Sequence, residues 1–212
     1  MNLRKALDAR SKFDRDYFEN GIETGVSAYE NYRWMPERSL REAMSIIKNV
    51  NFNSVLDFGC AKGFLVKALR MLGKEAYGID ISDYAIKTAE SNVREYVSTR
   101  TLASFKESEF DLVVSKDTLE HVAIQDLTKI LSEIRRIAKQ ILIAVPLGEN
   151  GKYRIREYEL DRTHIIRENE DFWITSLISA GFSIDYCDYK LGYLKRNWTS
   201  QNEYGNMFLI GR

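Results

Sequence analysis

The sequence predicts an α/β fold with a doubly wound sheet of seven strands, mostly parallel, that ends in an antiparallel hairpin. Strand-like apolar runs alternate with helical patterns from about residue 51, which is typical of a parallel sheet with crossover helices. The apolar run at residues 140–145 fits a strand that is buried on both faces. Residues 182–191 and 206–210 form two strand-like runs without a helical pattern between them, so we expect an antiparallel pair at the sheet edge.

Composition and charge exclude several classes of protein. The 212 residues carry 31 basic and 31 acidic side chains, a balance that argues against nucleic acid as a partner. No apolar run approaches the roughly 20 residues that span a bilayer, so no membrane insertion is expected. Residues 1–8 lack an apolar signal core, which favours a cytoplasmic protein. Cys60 and Cys187 match no metal-ligand spacing and are expected to be free thiols.

Residues 1–50 are predicted to form a helical N-terminal arm ahead of a main domain at residues 51–212. Pro36 suits the first turn of a helix in this arm. Before Pro36, aromatic and charged side chains are mixed in an unusual way, notably Tyr29, Tyr32, Arg33 and Trp34. The mixture favours either an arm packed onto the main domain or a lid over a pocket.

Strands and helices then alternate through the main domain. Apolar spacing predicts strands at residues 54–57, 75–80, 96–102, 111–115 and 140–145. Helices are predicted at residues 63–73, at 124–138 and after the second strand, where Tyr84, Ile86, Ala89 and Val93 share a face. Residues 148–164 form a polar, tyrosine-rich insertion of the kind that lines a substrate site, and a helix at about 168–180 ends at Gly181.

A glycine turn follows the first strand, in the segment Asp57-Phe58-Gly59-Cys60-Ala61-Lys62-Gly63. A dinucleotide fold needs Gly-x-Gly-x-x-Gly, so that a helix start can bind pyrophosphate, and this spacing is absent. Dinucleotide binding therefore remains only a minor alternative. A carboxylate beside the turn suits a ligand that carries an ammonium and a sulfonium rather than phosphates.

The turn resembles the first motif of the class I S-adenosylmethionine-dependent methyltransferases, which have a Rossmann-like sheet. The likeness extends to Asp80 after the second strand, to residues 110–115 and to residues 117–122. It implies that S-adenosylmethionine is the cofactor, that Asp80 accepts the ribose hydroxyls and that Ile81 packs on the adenine. The cofactor-binding residues implied by the resemblance are Asp57, Gly59, Cys60, Gly63, Asp80, Ile81, Ser115 and Lys116. Many relatives hold the adenine amine with an acidic residue after the third strand, but residues 98–101 offer only hydroxyls and an arginine.

An alcohol acceptor must lose a proton as it is methylated, so a general base is needed. The chain has two histidines, His121 and His164, and both fall where the family places its active-site rim, so they are the predicted catalytic residues. No metal ion is expected, because the spacing of these histidines from Asp117 and Asp161 fits no local metal motif. The predicted acceptor-binding residues are Tyr29, Tyr32, Arg33, Trp34, Tyr153, Arg156 and Tyr158.

Tyrosines and arginines suit a hydroxylated or phosphorylated small molecule. The predicted function is therefore methyl transfer to a small polar acceptor, with a hydroxyl of a sugar or sugar nucleotide preferred. The alternatives are a quinone-like or lipid-like acceptor, a nitrogen acceptor, or a protein that binds the cofactor without catalysis. The C-terminal sheet edge and the aromatic arm are both candidate surfaces for a homodimer.

Overall fold

A computed structural model describes residues 10–212 of the protein, so residues 1–9 of the predicted arm lie outside the described residues. The strands are β1 Ser54–Phe58, β2 Glu75–Ile79, β3 Val97–Ser98, β4 Phe110–Lys116, β5 Ala138–Pro146, β6 Gly148–Glu149, β7 Lys152–Tyr153, β8 Ile184–Asp188 and β9 Asn206–Gly211. The helices are α1 Arg15–Glu19, α2 Gly21–Thr24, α3 Pro36–Asn49, α4 Phe64–Met71, α5 Asp83–Lys87, α6 Ile124–Ile137, α7 Glu170–Ser179 and α8 Arg196–Thr199. Short 3-10 turns lie at Leu119–His121 and Arg156–Leu160, among others.

Seven strands form the main sheet in the order β3-β2-β1-β4-β5-β9-β8. The five strands from β3 to β5 are parallel, β9 pairs antiparallel with β5, and β8 pairs antiparallel with β9. The predicted Rossmann-like sheet with a C-terminal antiparallel pair is therefore confirmed. The last strand of the chain is not the edge strand, because β9 inserts between β5 and β8.

The sheet is covered on both faces, as the doubly wound prediction requires. One core contains α3 and α4 residues such as Ile46 and Leu69, which pack against one face of the sheet. The other core contains α6 and α7 residues such as Leu131 and Trp173, and both of these side chains are fully buried. The central strands are consequently buried on both sides, which explains their continuous apolar runs.

Three predicted elements differ from the structure. Helix α5 ends at Lys87, earlier than the helical face had indicated, although Ala89 and Val93 are buried as predicted. The Arg94 guanidinium donates two hydrogen bonds to the carbonyl of Ala89, which satisfies a backbone acceptor where the helix has stopped. Strand β3 has only two residues, and a short helix, α8, lies between β8 and β9.

The described part of the arm consists of α1, α2, α3 and a non-helical stretch at residues 25–35. Tyr17 and Phe18 of α1 are buried and pack with Tyr29, Tyr32 and Tyr84. The predicted insertion at residues 148–164 contains the β6–β7 pair and the 3-10 turn at Arg156–Leu160. Within residues 10–212, no helix combines the length and the apolar character needed to cross a membrane.

Candidate active site

A cavity of about 1300 Å³ opens at the carboxyl ends of β1, β2 and β4. Asp57 near the end of β1, Asp80 directly after β2 and Lys116 at the end of β4 all line it. Strands β1 and β4 are neighbours, and the connections leave them in opposite directions along the sheet. Open α/β sheets bind their ligands at such a switch point, because the diverging loops leave a crevice there.

The glycine turn is fixed to the second strand. The amides of Gly59 and Cys60 both donate to the carbonyl of Ile79, at 2.8 and 3.1 Å. Gly59 has φ +83°, and a Cβ there would lie 2.1 Å from Thr118 Oγ1, so only glycine fits this close approach. The turn therefore brings bare backbone to the cavity wall.

Two carboxylates flank the turn, Asp57 buried and Asp80 partly buried. Asp57 is 4% exposed and its carboxylate makes no hydrogen bond within residues 10–212, whereas Asp80 accepts hydrogen bonds from the amides of Ala61 (2.7 Å) and Ser82 (2.8 Å). Burial raises the pKa of Asp57 to about 7 and also raises the pKa of Asp80. The two amides fix the orientation of Asp80 and leave its other lone pairs free for ligand hydroxyls.

These features fit the cofactor that the fold family implies. An unpartnered carboxylate at Asp57 can receive an ammonium group, and the fixed Asp80 carboxylate can receive a pair of ribose hydroxyls. The cavity wall beyond Ile81 includes residues 99–103, which offer hydroxyl and backbone groups near the expected adenine position. This is consistent with the absence of an acidic residue after the third strand.

A buried group of charges lies beside the turn. Lys195 is fully buried and its ammonium pairs with Asp117 Oδ1, while Lys116 Nζ lies 3.2 Å from Asp117 Oδ2 and 3.9 Å from Glu42 Oε2. Burial alone would raise the pKa of Asp117, but the ammonium groups of Lys195 and Lys116 hold it below its ordinary value. Asp117 therefore stays ionised at the cavity wall, and Arg38 extends the group through Glu42.

The two histidines meet at the other end of the cavity, with ring centroids 4.6 Å apart. His164 Nδ1 lies 2.8 Å from the carbonyl of Tyr158, which can only accept, so this nitrogen carries the proton. The Thr163 hydroxyl donates to Asp161, so it accepts from His121 Nδ1 at 2.8 Å. In both rings Nε2 is therefore unprotonated and has a free lone pair.

Burial keeps both imidazoles neutral. It lowers the pKa of His121 to about 4, with a further contribution from His164, and it also lowers the pKa of His164. Glu120 is next to His121 in the chain and has 0% exposure, and burial raises its pKa to about 8. The acceptor end of the cavity is thus lined by two unprotonated imidazole nitrogen atoms and by a carboxyl group that is mostly neutral at pH 7.

The structure places most, but not all, of the predicted residues on the cavity wall. Asp57, Gly59, Cys60, Asp80, Ile81, Lys116, Tyr29, Tyr32, Arg33, Tyr158, His121 and His164 line it. Five others do not: Gly63, Ser115, Trp34, Tyr153 and Arg156.

Each of the five has a physical reason for its position. Gly63 packs against Val97, and Ser115 is buried within β4. The Trp34 ring lies under the Lys67 ammonium, the Tyr153 hydroxyl donates to the carbonyl of Ile166, and Arg156 is exposed.

Sequence reasoning missed several residues of the site. Lys195 and Glu42 lie far along the chain from Asp117, so no local spacing connects them. Glu120 was visible as part of residues 117–122, but nothing in the sequence showed that its side chain turns inward. Tyr17 also reaches the site, where its hydroxyl donates to Asp161 at 2.8 Å.

Comparison with known proteins bears on the family and the fold of the chain. Residues 56–141 match the family model described as methyltransferase domain. A ubiquinone biosynthesis O-methyltransferase of Methylococcus capsulatus is 36% identical over 92 residues, which cover 40% of this chain and 38% of that protein. A ribosomal protein L11 methyltransferase of Thermotoga petrophila is 30% identical over 134 residues, which cover 58% of this chain and 48% of that protein. The chain thus aligns with less than half of each of these relatives.

A solved structure supports the fold over the whole chain. The 1,6-didemethyltoxoflavin-N1-methyltransferase of Burkholderia thailandensis, with bound S-adenosylhomocysteine, superposes with a TM-score of 0.66. The alignment covers 100% of this chain and 90% of that one at 15% sequence identity, so it bears on the fold alone.

Proposed function

We propose that this chain, which carries a class I S-adenosylmethionine-dependent methyltransferase domain, transfers a methyl group to a hydroxyl of a small polar acceptor. The observation that carries the proposal is the pair of neutral imidazoles whose Nε2 lone pairs face the same cavity as Asp57 and Asp80. The cavity volume of about 1300 Å³ is larger than that of an ordinary small-molecule site, which is about 300–1000 Å³. A cofactor and an acceptor can therefore lie in it side by side.

The chain's own residues hold the cofactor at the strand ends. Asp57 receives its ammonium, Gly59 and Cys60 form the wall beside its methionine part, and Asp80 receives both ribose hydroxyls. Lys116 borders the donor through its backbone, and Ile81 packs on the adenine. When bound, S-adenosylmethionine supplies an electrophilic methyl group on a sulfonium.

At the acceptor end the protein has two tasks. The first is to place the hydroxyl oxygen in line with the methyl group and to exclude water, because in-line displacement depends on close approach. Tyr29, Tyr32 and Arg33 from the arm and Tyr158 from the insertion border this space. The second is to accept the proton that the hydroxyl loses, for which the Nε2 atoms of His164 and His121 are suited.

Oxygen is the preferred acceptor atom, because the lone pairs on the cavity wall suit a group that must lose a proton. A hydroxyl of a sugar or sugar nucleotide fits walls that mix tyrosine rings with Arg33 and Arg38. A quinol-like acceptor is the second candidate, favoured by the relatives named for ubiquinone biosynthesis. Assays of methyl transfer to nucleotide sugars, quinols and small amines separate these classes.

Titration calorimetry with S-adenosylmethionine and S-adenosylhomocysteine tests the cofactor site. We expect one molecule bound per chain, and an Asp80→Ala variant at least about 100-fold weaker, because two charge-assisted hydrogen bonds of about 1.5–3 kcal/mol each are lost. Asp83→Ala, which changes a carboxylate in the first turn of α5, is the matched control and should bind like the wild type. Absence of binding by the wild type would refute the proposed function.

Two further expectations concern the arm and the assembly. We infer that α1 and the stretch at residues 25–35 act as a lid, because Tyr17, Tyr29 and Tyr32 contact both the main domain and the cavity. A homodimer through the arm or the β8 edge is the second expectation, and light scattering in solution measures it.

A further inference from the structure

Three side chains with free hydrogen-bond acceptor atoms converge at the acceptor end of the cavity. One ligand atom from each of Glu120, His121 and His164 lies within 4.8 Å of the others. His164 Nε2 and Glu120 Oε1 are 3.9 Å apart. The fold brings them together because the 3-10 turn after β4 packs against residues 161–166, where the amides of Ile165 and Ile166 donate to the carbonyl of Glu120.

The two histidines are oriented in the way that metal-binding histidines are. Each ring uses Nδ1 for a hydrogen bond to the protein, to the carbonyl of Tyr158 or to Thr163 Oγ1, and turns an Nε2 lone pair inward. Thr163 is itself fixed by Asp161, which also accepts from Tyr17. Such outer partners set the tautomer and the direction of a metal ligand.

Glu120 is the third side chain of the cluster, and its carboxyl group makes no hydrogen bond within residues 10–212. Its side chain is fully buried and neither carboxylate oxygen has a hydrogen-bond partner among these residues. The ammonium of Lys195 is close in the fold but pairs with Asp117. Because an unpaired polar group in the interior is costly, an electron-poor partner belongs between the three side chains.

We propose that Glu120, His121 and His164 bind one divalent first-row transition metal ion, such as Zn²⁺ or Mn²⁺. Two imidazoles and a carboxylate are a typical ligand set for these ions, and a three-residue site leaves further positions open. Metal–ligand bonds of about 2.1 Å hold ligand atoms about 3–4 Å apart, so small side-chain rotations close the cluster. The cluster lines the cavity, so the open positions face the acceptor.

The role of the ion rests on the proposed function, although the binding site does not. The acceptor hydroxyl oxygen would occupy an open position on the ion, which makes its proton more acidic. The hydroxyl would release its O–H proton to solvent as it binds the ion, the oxygen would then form its bond to the methyl carbon, and the C–S bond of the sulfonium would break. In that case the imidazoles hold the ion instead of accepting the proton.

Calorimetry with Zn²⁺ and Mn²⁺ alone, on protein treated with a chelator, tests the site directly. We expect one ion per chain and a rise in the melting temperature on binding, which Mg²⁺ at equal concentration reproduces less strongly. Glu120→Gln and His164→Ala should each weaken binding about 100-fold or more. Thr163→Val, which removes the hydroxyl that links His121 Nδ1 to Asp161 and leaves the three ligands in place, should weaken it by about 10–100-fold.

Two controls keep the result specific. Cys187→Ser removes the exposed thiol, a competing Zn²⁺ ligand, and Asp126→Asn changes another carboxylate on the same cavity wall. Both should bind the ion like the wild type, and circular dichroism verifies that each variant is folded. Wild-type protein that binds neither ion, or a Glu120→Gln variant that binds equally well, would overturn the proposal.

The same samples separate this proposal from the proposed function. If S-adenosylmethionine binds and methyl transfer proceeds at full rate in excess chelator, the proposed role of the ion fails and the methyltransferase proposal stands, whereas the binding site is decided by the calorimetry with the metal alone. If the ion binds but S-adenosylmethionine does not, the proposed function fails and the metal site stands.

Discussion

At the residue scale, Asp57 is a buried carboxylate without a hydrogen-bond partner in the described part of the chain. Burial raises its pKa to about 7, so in the cofactor-free protein it is partly protonated near neutral pH. The free energy cost of an ionised, buried Asp57 is offset when an ammonium group binds beside it. The residue thus links cofactor binding to pH.

This linkage has a definite sign. Ionised Asp57 attracts the cofactor's ammonium and protonated Asp57 does not, so affinity for S-adenosylhomocysteine should rise as pH rises through the pKa of about 7. From pH 6 to pH 7 the ionised fraction, and with it the affinity, should increase about fivefold. Calorimetry at the two pH values measures it. An Asp57→Asn variant should bind more weakly and with no such dependence, and a wild type without pH dependence would contradict the assignment.

At two other positions, the neighbouring residues explain which residue the structure accepts. Gly59 must be glycine because Thr118 fills the space of a Cβ, and Lys195 tolerates full burial because Asp117 neutralises it. The motif indicated the first of these from sequence. The second depends on a partner that folding brings from far along the chain.

At the scale of elements, α6 is the helix that the sequence defined most clearly. It was predicted at residues 124–138 and is observed at Ile124–Ile137, with Leu127, Leu131, Ile134 and Ile137 buried. The apolar residues recur at helical spacing, which is sufficient to predict both the helix and the face it turns to the sheet. Helix α5 was predicted less well, since its apolar face continues to Val93 although the helix ends at Lys87.

Leu131 should carry a large share of the packing of α6. Leu131→Ala should lower the free energy of unfolding by about 2–5 kcal/mol, because the side chain is fully buried and its loss leaves a cavity. Ile124→Ala in the same helix, where the side chain is half-exposed, should change it by less than about 1 kcal/mol. Urea denaturation measures both, and equal effects would contradict the assigned face.

One buried hydrogen bond between side chains joins the arm to the insertion, beside the contacts of the arm with the main domain. Tyr17→Phe removes the hydroxyl that donates to Asp161, a bond to a charged group that contributes about 1.5–3 kcal/mol. Amide hydrogen exchange at residues 15–32 should therefore become faster, while exchange in β4 and β5 should not change. Tyr204→Phe, at a half-exposed ring, is the matched control. Unchanged exchange in the arm would show that its other contacts, such as the Lys62 ammonium with Glu19 and the carbonyl of Tyr32, are sufficient to hold it.

At the scale of the whole molecule, net charge bears on the choice of partner. With equal numbers of acidic and basic residues, the protein should show no measurable retention of duplex DNA or RNA at physiological salt. A gel-shift titration at about 0.15 M salt measures this. Salt-dependent binding at micromolar concentration would instead indicate a local basic surface, and nucleic acid would then have to be tested as a methyl acceptor.

The sheet, its cofactor end and the antiparallel strand pair could be predicted from the order of the residues. These depend on periodicity and on contiguous motifs, such as the glycine turn between Asp57 and Gly63, that act over a few residues. The arrangement of the acceptor end could not be predicted in this way, because its groups come from separate parts of the chain. Glu120 faces His164, Lys195 pairs with Asp117, and Tyr17 reaches Asp161. Such convergence is a consequence of packing, so local spacing carries no signal for it, and a histidine pair without a local metal motif can still form part of a three-ligand cluster.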